Sequence, residues 1–206
     1  MEYSWMQAPA SEVAETAKTL LGWELSANGV RVRLTEVEAY AGTGEDPASH
    51  AHRGPTPRTR VMFGPAGRAY LYFVFGVHWC MNVVCGAEGE AAAVLLRAGE
   101  VLEGAELAQQ RRGDVAEREL ARGPARLVVV LGVGHEANGT SMVDGTGPLL
   151  LSPPSRPVAP QLIVAGPRVG VANAHDVPWR FLISGDPTVS TYRRHVPRRR
   201  SPSPSR

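Results

Sequence analysis

The spacing of apolar and polar positions changes several times along the chain, and each change predicts an element. Val13, Ala17, Leu20 and Leu21 share one helical face, so a helix is expected from a Ser11 cap to about Leu21, with Gly22 as the stop. Asn28-Gly29 is a two-residue hairpin signal and predicts strands over 23–27 and 30–40. Val30, Val32 and Leu34 alternate with Arg31 and Arg33, and the same parity runs on into Glu36, Glu38 and Tyr40. That reading lays carboxylates along the apolar face, where an acid is either an edge residue or a working group. Residues 41–68 hold Gly, Pro, Thr, His and Arg without periodicity, and a loop of that length in a compact domain is usually functional. Three short strands are expected at 69–75, 79–85 and 92–98, then a helix at 103–112. Segment 124–131 reads as a short helix or a buried strand. A proline-rich connection at 153–160 precedes expected strands at 161–165, 169–171 and 181–184. No internal repeat is visible. The order of elements predicts an α+β fold: a single mixed domain around a mostly antiparallel sheet, with peripheral helices.

Composition narrows the picture. The chain has 206 residues, 43% hydrophobic and 20% charged, enough for one domain with a proper core. That domain is expected over 1–192. From Arg193 only Arg, Pro and Ser recur without apolar pattern, so 193–206 is expected to be a disordered basic tail. No run approaches the roughly 18 apolar residues of a membrane span, and no secretion signal is visible at the N-terminus. Cys80 and Cys85 are the only cysteines, too few for a disulfide scaffold or a cysteine-built zinc site. A reduced cytoplasmic setting fits. The formal net charge of +2 says little about a nucleic-acid partner. The basic residues say more, because Lys18 is the sole lysine. A mechanism needing a lysine nucleophile therefore has one candidate, and it lies in a helical pattern.

Three groups of residues could carry chemistry. The first is Glu38 with Tyr40 and the following loop, which holds His50 and His52. The second is the aromatic run Tyr70, Tyr72, Phe73 and Phe75, ending at Gly76. The third is Asn82 and Arg97, polar residues within apolar strands. Singly, each has an ordinary structural reading: a surface charge, sheet aromatics, a hydrogen-bonded core amide, an arginine paired with Glu100 or Glu103. His50, His52 and Glu38 suggest a metal, but nothing completes a ligand set. Together the three groups suit removal of a base from its sugar. Such an enzyme extrudes the nucleotide, holds the base between aromatic faces, fills the gap with a wedge, and uses a carboxylate to activate water against an oxocarbenium-like centre.

The segments TEVEAY (35–40), ASHAHRGPTPRTRVMFGPAGRAYLYFVFGVHWCMNVV (48–84) and AVLLRA (93–98) resemble the alkyladenine, or 3-methyladenine (methylpurine), DNA glycosylases. The resemblance resumes at RGPARL (122–127), GPRVGV (166–171) and WRFLISGDPTVS (179–190), and covers most of 14–192. It implies a single mixed domain with a protruding aromatic hairpin, no metal or other cofactor, and a monomer acting on double-stranded DNA that contains damaged purines. It implies that Glu38 is the general base, with Arg97 and the carbonyl of Val169 holding the attacking water. Tyr40, His50 and Tyr72 would form the base pocket, and Asn82 would disfavour the exocyclic amine of unmodified guanine. Phe75 takes the place of the side chain that enters the duplex, where the family pattern expects tyrosine. Arg58 and Arg60 match basic positions near the phosphates. A bacterial member would work in the cytoplasm, at the nucleoid.

Two other readings carry distinct expectations. A catalytically inactive lesion- or nucleic-acid-binding protein on the same fold would explain the pocket, but would not need Glu38 and Arg97. A zinc deaminase needs a His-x-Glu and a Cys-x-x-Cys pair, and Cys80 and Cys85 have the wrong spacing.

Overall fold

The computed structural model describes residues 3–74 and 76–196. The first helix, α1 (Val13–Leu20), follows a 3-10 turn at Ala10–Glu12. Glu12 is its N-cap, with no side-chain cap bond, so Ser11 does not cap it as expected. Strands β1 (Glu24–Ala27) and β2 (Val30–Tyr40) follow, joined at Asn28 and Gly29 with φ of 46° and 77°. Positive φ at both central residues is what a tight hairpin matched to strand twist requires. Next come β3 (Ala69–Val74), β4 (His78–Cys85), β5 (Ala92–Glu103) and α2 (Ala105–Arg112). Then come β6 (Ala121–Arg122), α3 (Pro124–Leu131), β7 (Leu150–Ser152), β8 (Ile163–Gly166) and β9 (Arg180–Ile183). Segment 124–131 is thus a helix, with proline in its first turn where a missing N–H is harmless. Strands β6 and β7 were not expected; two or three residues are too few to show a period.

Every pairing among these strands is antiparallel. The order β3-β4-β5-β2-β1-β7 makes one sheet, with β6 beside β5, β9 beside β2, and β8 beside β9. The fold is α+β, as the element order predicts.

The two faces of the sheet have different tasks. One carries Leu71, Met81, Val83, Val94, Leu96, Val32 and Leu34, and is covered by apolar residues of α1 and α3. The other carries Tyr70, Val84 and Ala93, and is covered by Ala51 and Met62 of the long 41–68 loop.

The parity of β2 is where sequence and structure part. Leu34 pairs with Gly99 and Glu36 with Ala98, so Thr35 is an extra residue on β2. Val37 then pairs with Leu96, which leaves Arg97 as the extra residue on β5. These two bulges re-aim the strand. Beyond Thr35 it is Val37 and Ala39 that join Leu34 in the core. Glu36, Glu38 and Tyr40 turn to the opposite face, and the expectation of carboxylates on the apolar face is corrected.

The expected strand at 169–171 is absent as well. Gly170 takes φ 70°, outside the extended region, and the segment is irregular. Of the expected tail, residues 193–196 are described and carry no regular structure. The Gly170 N–H donates to the Arg193 carbonyl at 3.0 Å. Residues 197–206 lie outside the described residues. No helix among the described residues is long and apolar enough to cross a membrane.

Candidate active site

The face of the sheet opposite the core floors a cavity of about 610 Å³. Glu38, Tyr40, His50, Tyr72, Asn82, Arg97 and Val169, all singled out from the sequence, line it. Strand alternation explains much of this. Tyr70 and Tyr72 on β3, Cys80 and Asn82 on β4, and Leu95 on β5 are i, i+2 neighbours pointing one way. Arg97, two residues beyond Leu95, follows by the same alternation, and the bulge at Thr35 adds Glu38 to that side.

Glu38 is fully buried. Its Oε1 accepts the Val169 N–H at 2.7 Å, and its Oε2 accepts the Tyr40 hydroxyl at 2.8 Å. Arg97 Nε lies 3.5 Å from Oε1. Two hydrogen bonds leave about two of a carboxylate's four lone-pair sites free to accept from a water. Val169 meets Glu38 through its amide, from the irregular segment at 169–171.

Glu36 is also fully buried and is more heavily clamped. Its Oε1 accepts from Arg97 Nε at 3.0 Å, Arg180 Nε at 2.6 Å and Ser190 Oγ at 3.0 Å. Its Oε2 accepts the Ser190 N–H at 2.7 Å. Burial works to raise the pKa of Glu36, but Arg97, Arg180 and these hydrogen bonds outweigh it and hold it below the usual carboxylate range. Burial likewise opposes the charge of Arg97, and Glu38 and Glu36 more than compensate. The sequence suggested Glu100 or Glu103 as partners of Arg97. Glu100 instead faces Arg33 and Arg156, and Glu103 pairs with Arg31.

The walls are aromatic. The rings of His50 and Tyr72 meet edge to face at 4.6 Å, and Tyr70 stacks on Tyr72 at 5.8 Å. His50 Nδ1 lies 3.1 Å from the Tyr70 hydroxyl. Burial lowers the His50 pKa, helped by the charge of Arg58, so the imidazole is held neutral. Burial raises Tyr40 well above the ordinary phenol range, and Glu38 pushes the same way, so Tyr40 stays a donor. Burial also pushes the Cys80 thiol up to about 11, which makes it an inert wall. The Asn82 amide donates to the Tyr70 carbonyl at 3.0 Å, which fixes its orientation.

One element of the site was missed in the sequence. Arg168 and Asp46 form a buried pair through Nη1–Oδ2 at 2.5 Å and Nη2–Oδ1 at 2.9 Å. Arg168 also donates to the Ala39 carbonyl at 2.9 Å, and its guanidinium lies 4.7 Å from the Tyr40 ring centroid. The pair fastens the loop bearing His50 to the segment bearing Val169. The only sequence signal is a charged residue in each of two irregular segments.

Arg58 and Arg60 are exposed; Arg58 lies 5.8 Å from the Tyr72 ring centroid, and Arg60 begins the 3-10 turn Arg60–Phe63. Phe75 lies outside the described residues; its neighbours Phe73 and Val77, 47% and 64% exposed, place apolar surface at the β3–β4 tip. Among the described residues, no three His, Cys, Asp or Glu side chains are placed to hold a metal ion.

The model of the methylpurine-DNA glycosylase family matches residues 6–187. A protein of Streptomyces avermitilis is 51% identical over 93% of this chain and 92% of its own length. One of Frankia casuarinae is 49% identical over 86% of this chain and 87% of its own. One of Cutibacterium acnes is 48% identical over 90% and 96%. All three are provisionally named 3-methyladenine DNA glycosylases. With its β-sheet floor, aromatic walls and buried carboxylate described, this chain belongs to the methylpurine-DNA glycosylase family.

Proposed function

We propose that the protein is a monofunctional DNA glycosylase that flips a damaged purine into the aromatic cavity and hydrolyses its N-glycosidic bond with water activated by Glu38. The observation that carries this reading is the fully buried Glu38 carboxylate on the cavity floor, oriented by the Val169 amide and the Tyr40 hydroxyl beside Arg97. The substrate class is alkylated or deaminated purines: 3-methyladenine, 7-methylguanine, hypoxanthine and ethenoadenine.

The chemistry follows from the side chains. A cavity of about 610 Å³ falls within the roughly 300–1,000 Å³ of small-molecule sites. Flipping costs a few kcal/mol and stacking returns about 1–3 kcal/mol per base, so Tyr40, His50 and Tyr72 offset most of it. The water oxygen bonds to C1′ as the C1′–N bond breaks, its electron pair leaves on the purine, and the water proton passes to Glu38. The anion also opposes the positive charge that develops on the sugar. A cationic alkylated purine leaves without further protonation, whereas a neutral one needs a proton. Asn82, fixed on the Tyr70 carbonyl, screens out the exocyclic amine of guanine. Phe75 fills the gap in the duplex, Arg58 and Arg60 meet phosphates, and the arginines of 193–206 add salt-dependent affinity.

The test is incubation with a panel of duplexes, each carrying one damaged purine, followed by alkaline cleavage. Strand breaks at the lesion only after alkali support the reading. Tight lesion binding without any base release would make the chain a lesion-binding protein and sink it.

A further inference from the structure

Glu36 takes no place in the hydrolysis just described, yet it is buried beside the site and accepts four hydrogen bonds. It and Glu38 stand two residues apart on β2, on one face, and both Oε1 atoms face the same Arg97 Nε, at 3.0 Å and 3.5 Å. The shorter contact goes to Glu36. Arg97 is further tied to that side by Nη2, which donates to Ser190 Oγ at 3.3 Å. Arg180 and Ser190 complete the clamp, so Glu36 is held from β9 and from the segment after it.

We infer that Glu36 is a positioning residue which draws Arg97 away from Glu38 and so keeps Glu38 able to accept a proton from water. The inference rests on the reading of Glu38 as the base.

The physical reason is the balance of charges around one guanidinium. An arginine free to form a two-pronged pair with Glu38 would occupy the lone pairs a water needs and stabilise the carboxylate as an anion. Such a carboxylate is a poorer base. Glu36 acts against this twice, by holding Arg97 back and by adding a like charge nearby. The other groups around Glu38 are Tyr40 on its own strand, Tyr72 on β3, Cys80 on β4, Arg97 on β5 and the Val169 amide. Arg126 on α3 and His50 complete the ionisable lining of the cavity, with His78 at the start of β4 and Tyr70 on β3. Tyr40, Tyr72 and Cys80 are held protonated by burial, so the charges around Glu38 are Arg97, Glu36, Arg180 opposite it on β9, and Arg168 beyond Tyr40.

The experiment measures single-turnover release of 7-methylguanine from a duplex at saturating enzyme, as a function of pH. This base is already cationic, so the acid limb of the profile reports the proton acceptor alone. Glu36→Gln is expected to slow the plateau rate several-fold and to move the acid limb to lower pH. Arg180→Gln leaves Glu36 less neutralised, so its limb is expected to move the other way, to higher pH. Arg180→Lys, which keeps the charge, should restore the wild-type limb. Should Glu36→Gln fail to fold, Glu36→Asp, which keeps the charge but shortens its reach to Arg97, takes its place, and its limb is expected to move to lower pH as well. A purely structural Glu36 would lower the unfolding midpoint and scale the rate at every pH without moving the limb, and that result overturns the inference. Glu38→Gln is measured alongside: near wild-type release by that variant sinks the reading of Glu38 itself, whereas loss of release with unmoved limbs sinks only the role of Glu36.

Discussion

His50 meets the Tyr70 hydroxyl through Nδ1 in a partly buried contact, and its ring packs edge to face with that of Tyr72. Burial and Arg58 hold its pKa below the ordinary histidine value. The sign of the consequence is fixed: between that lowered value and about 6.5, the unfolded chain binds the proton first. Stability is therefore lost as pH falls below about 6.5 and continues to fall until the folded imidazole protonates. His50→Gln removes this part of the slope. Thermal midpoints from pH 7 to pH 5 should fall more steeply for wild type than for the variant, and equal slopes would show that the imidazole is not held neutral. At this scale the sequence was informative where a residue type conflicts with its surroundings. Glu38 and Arg97 stand out because carboxylates and guanidinium groups are rare within apolar strands. Asp46 and Arg168 do not, because each lies in an irregular stretch with glycine and proline beside it, where no strand or helix pattern is broken by a charge, and the contact that buries them joins positions far apart in the chain.

Between elements, the governing feature is the pair of bulges at Thr35 and Arg97. The Asn-Gly turn and the apolar patterning correctly predicted β1, β2 and the three strands that follow, of which β4 and β5 are buried on both faces over most of their length. Patterning could not reveal the bulges, because an extra residue leaves the sequence looking regular while the strand changes face. The turn of Glu36, Glu38 and Tyr40 toward the cavity is thus a tertiary result. The fastening of the 41–68 loop to the 167–179 segment is another. Asp46 and Arg168 have side chains only 1% and 0% exposed, so losing one partner strands a buried charge. Asp46→Asn should destabilise the protein by about 3–5 kcal/mol, read as a lower urea midpoint at unchanged m. A loss below about 1 kcal/mol would mean that the pair is not the fastening.

Across the whole molecule, the sheet separates a structural face from a chemical one. Lys18, the sole lysine, is on α1, which packs against the structural face; its Nζ pairs with Glu15 at 2.7 Å and lies over the Phe181 ring. Lyase chemistry proceeds through an amine Schiff base, and no lysine borders the cavity. Borohydride should trap no complex between protein and DNA, and strands should break only with alkali; an adduct mapping to Lys18 would contradict the monofunctional assignment. The fold class was legible from element order, whereas net charge said almost nothing about DNA, because paired arginines such as Arg97, Arg168 and Arg180 are spent inside the protein. The most direct test of the account is Glu38→Gln in single-turnover excision of hypoxanthine. The amide keeps the size and reach of the carboxylate, and Tyr40, His50 and Tyr72 are untouched. Since general base catalysis contributes about 10²–10⁴-fold, excision should fall by at least about a hundredfold while lesion affinity changes by less than about tenfold. Excision of hypoxanthine by Glu38→Gln at close to the wild-type rate would contradict the account.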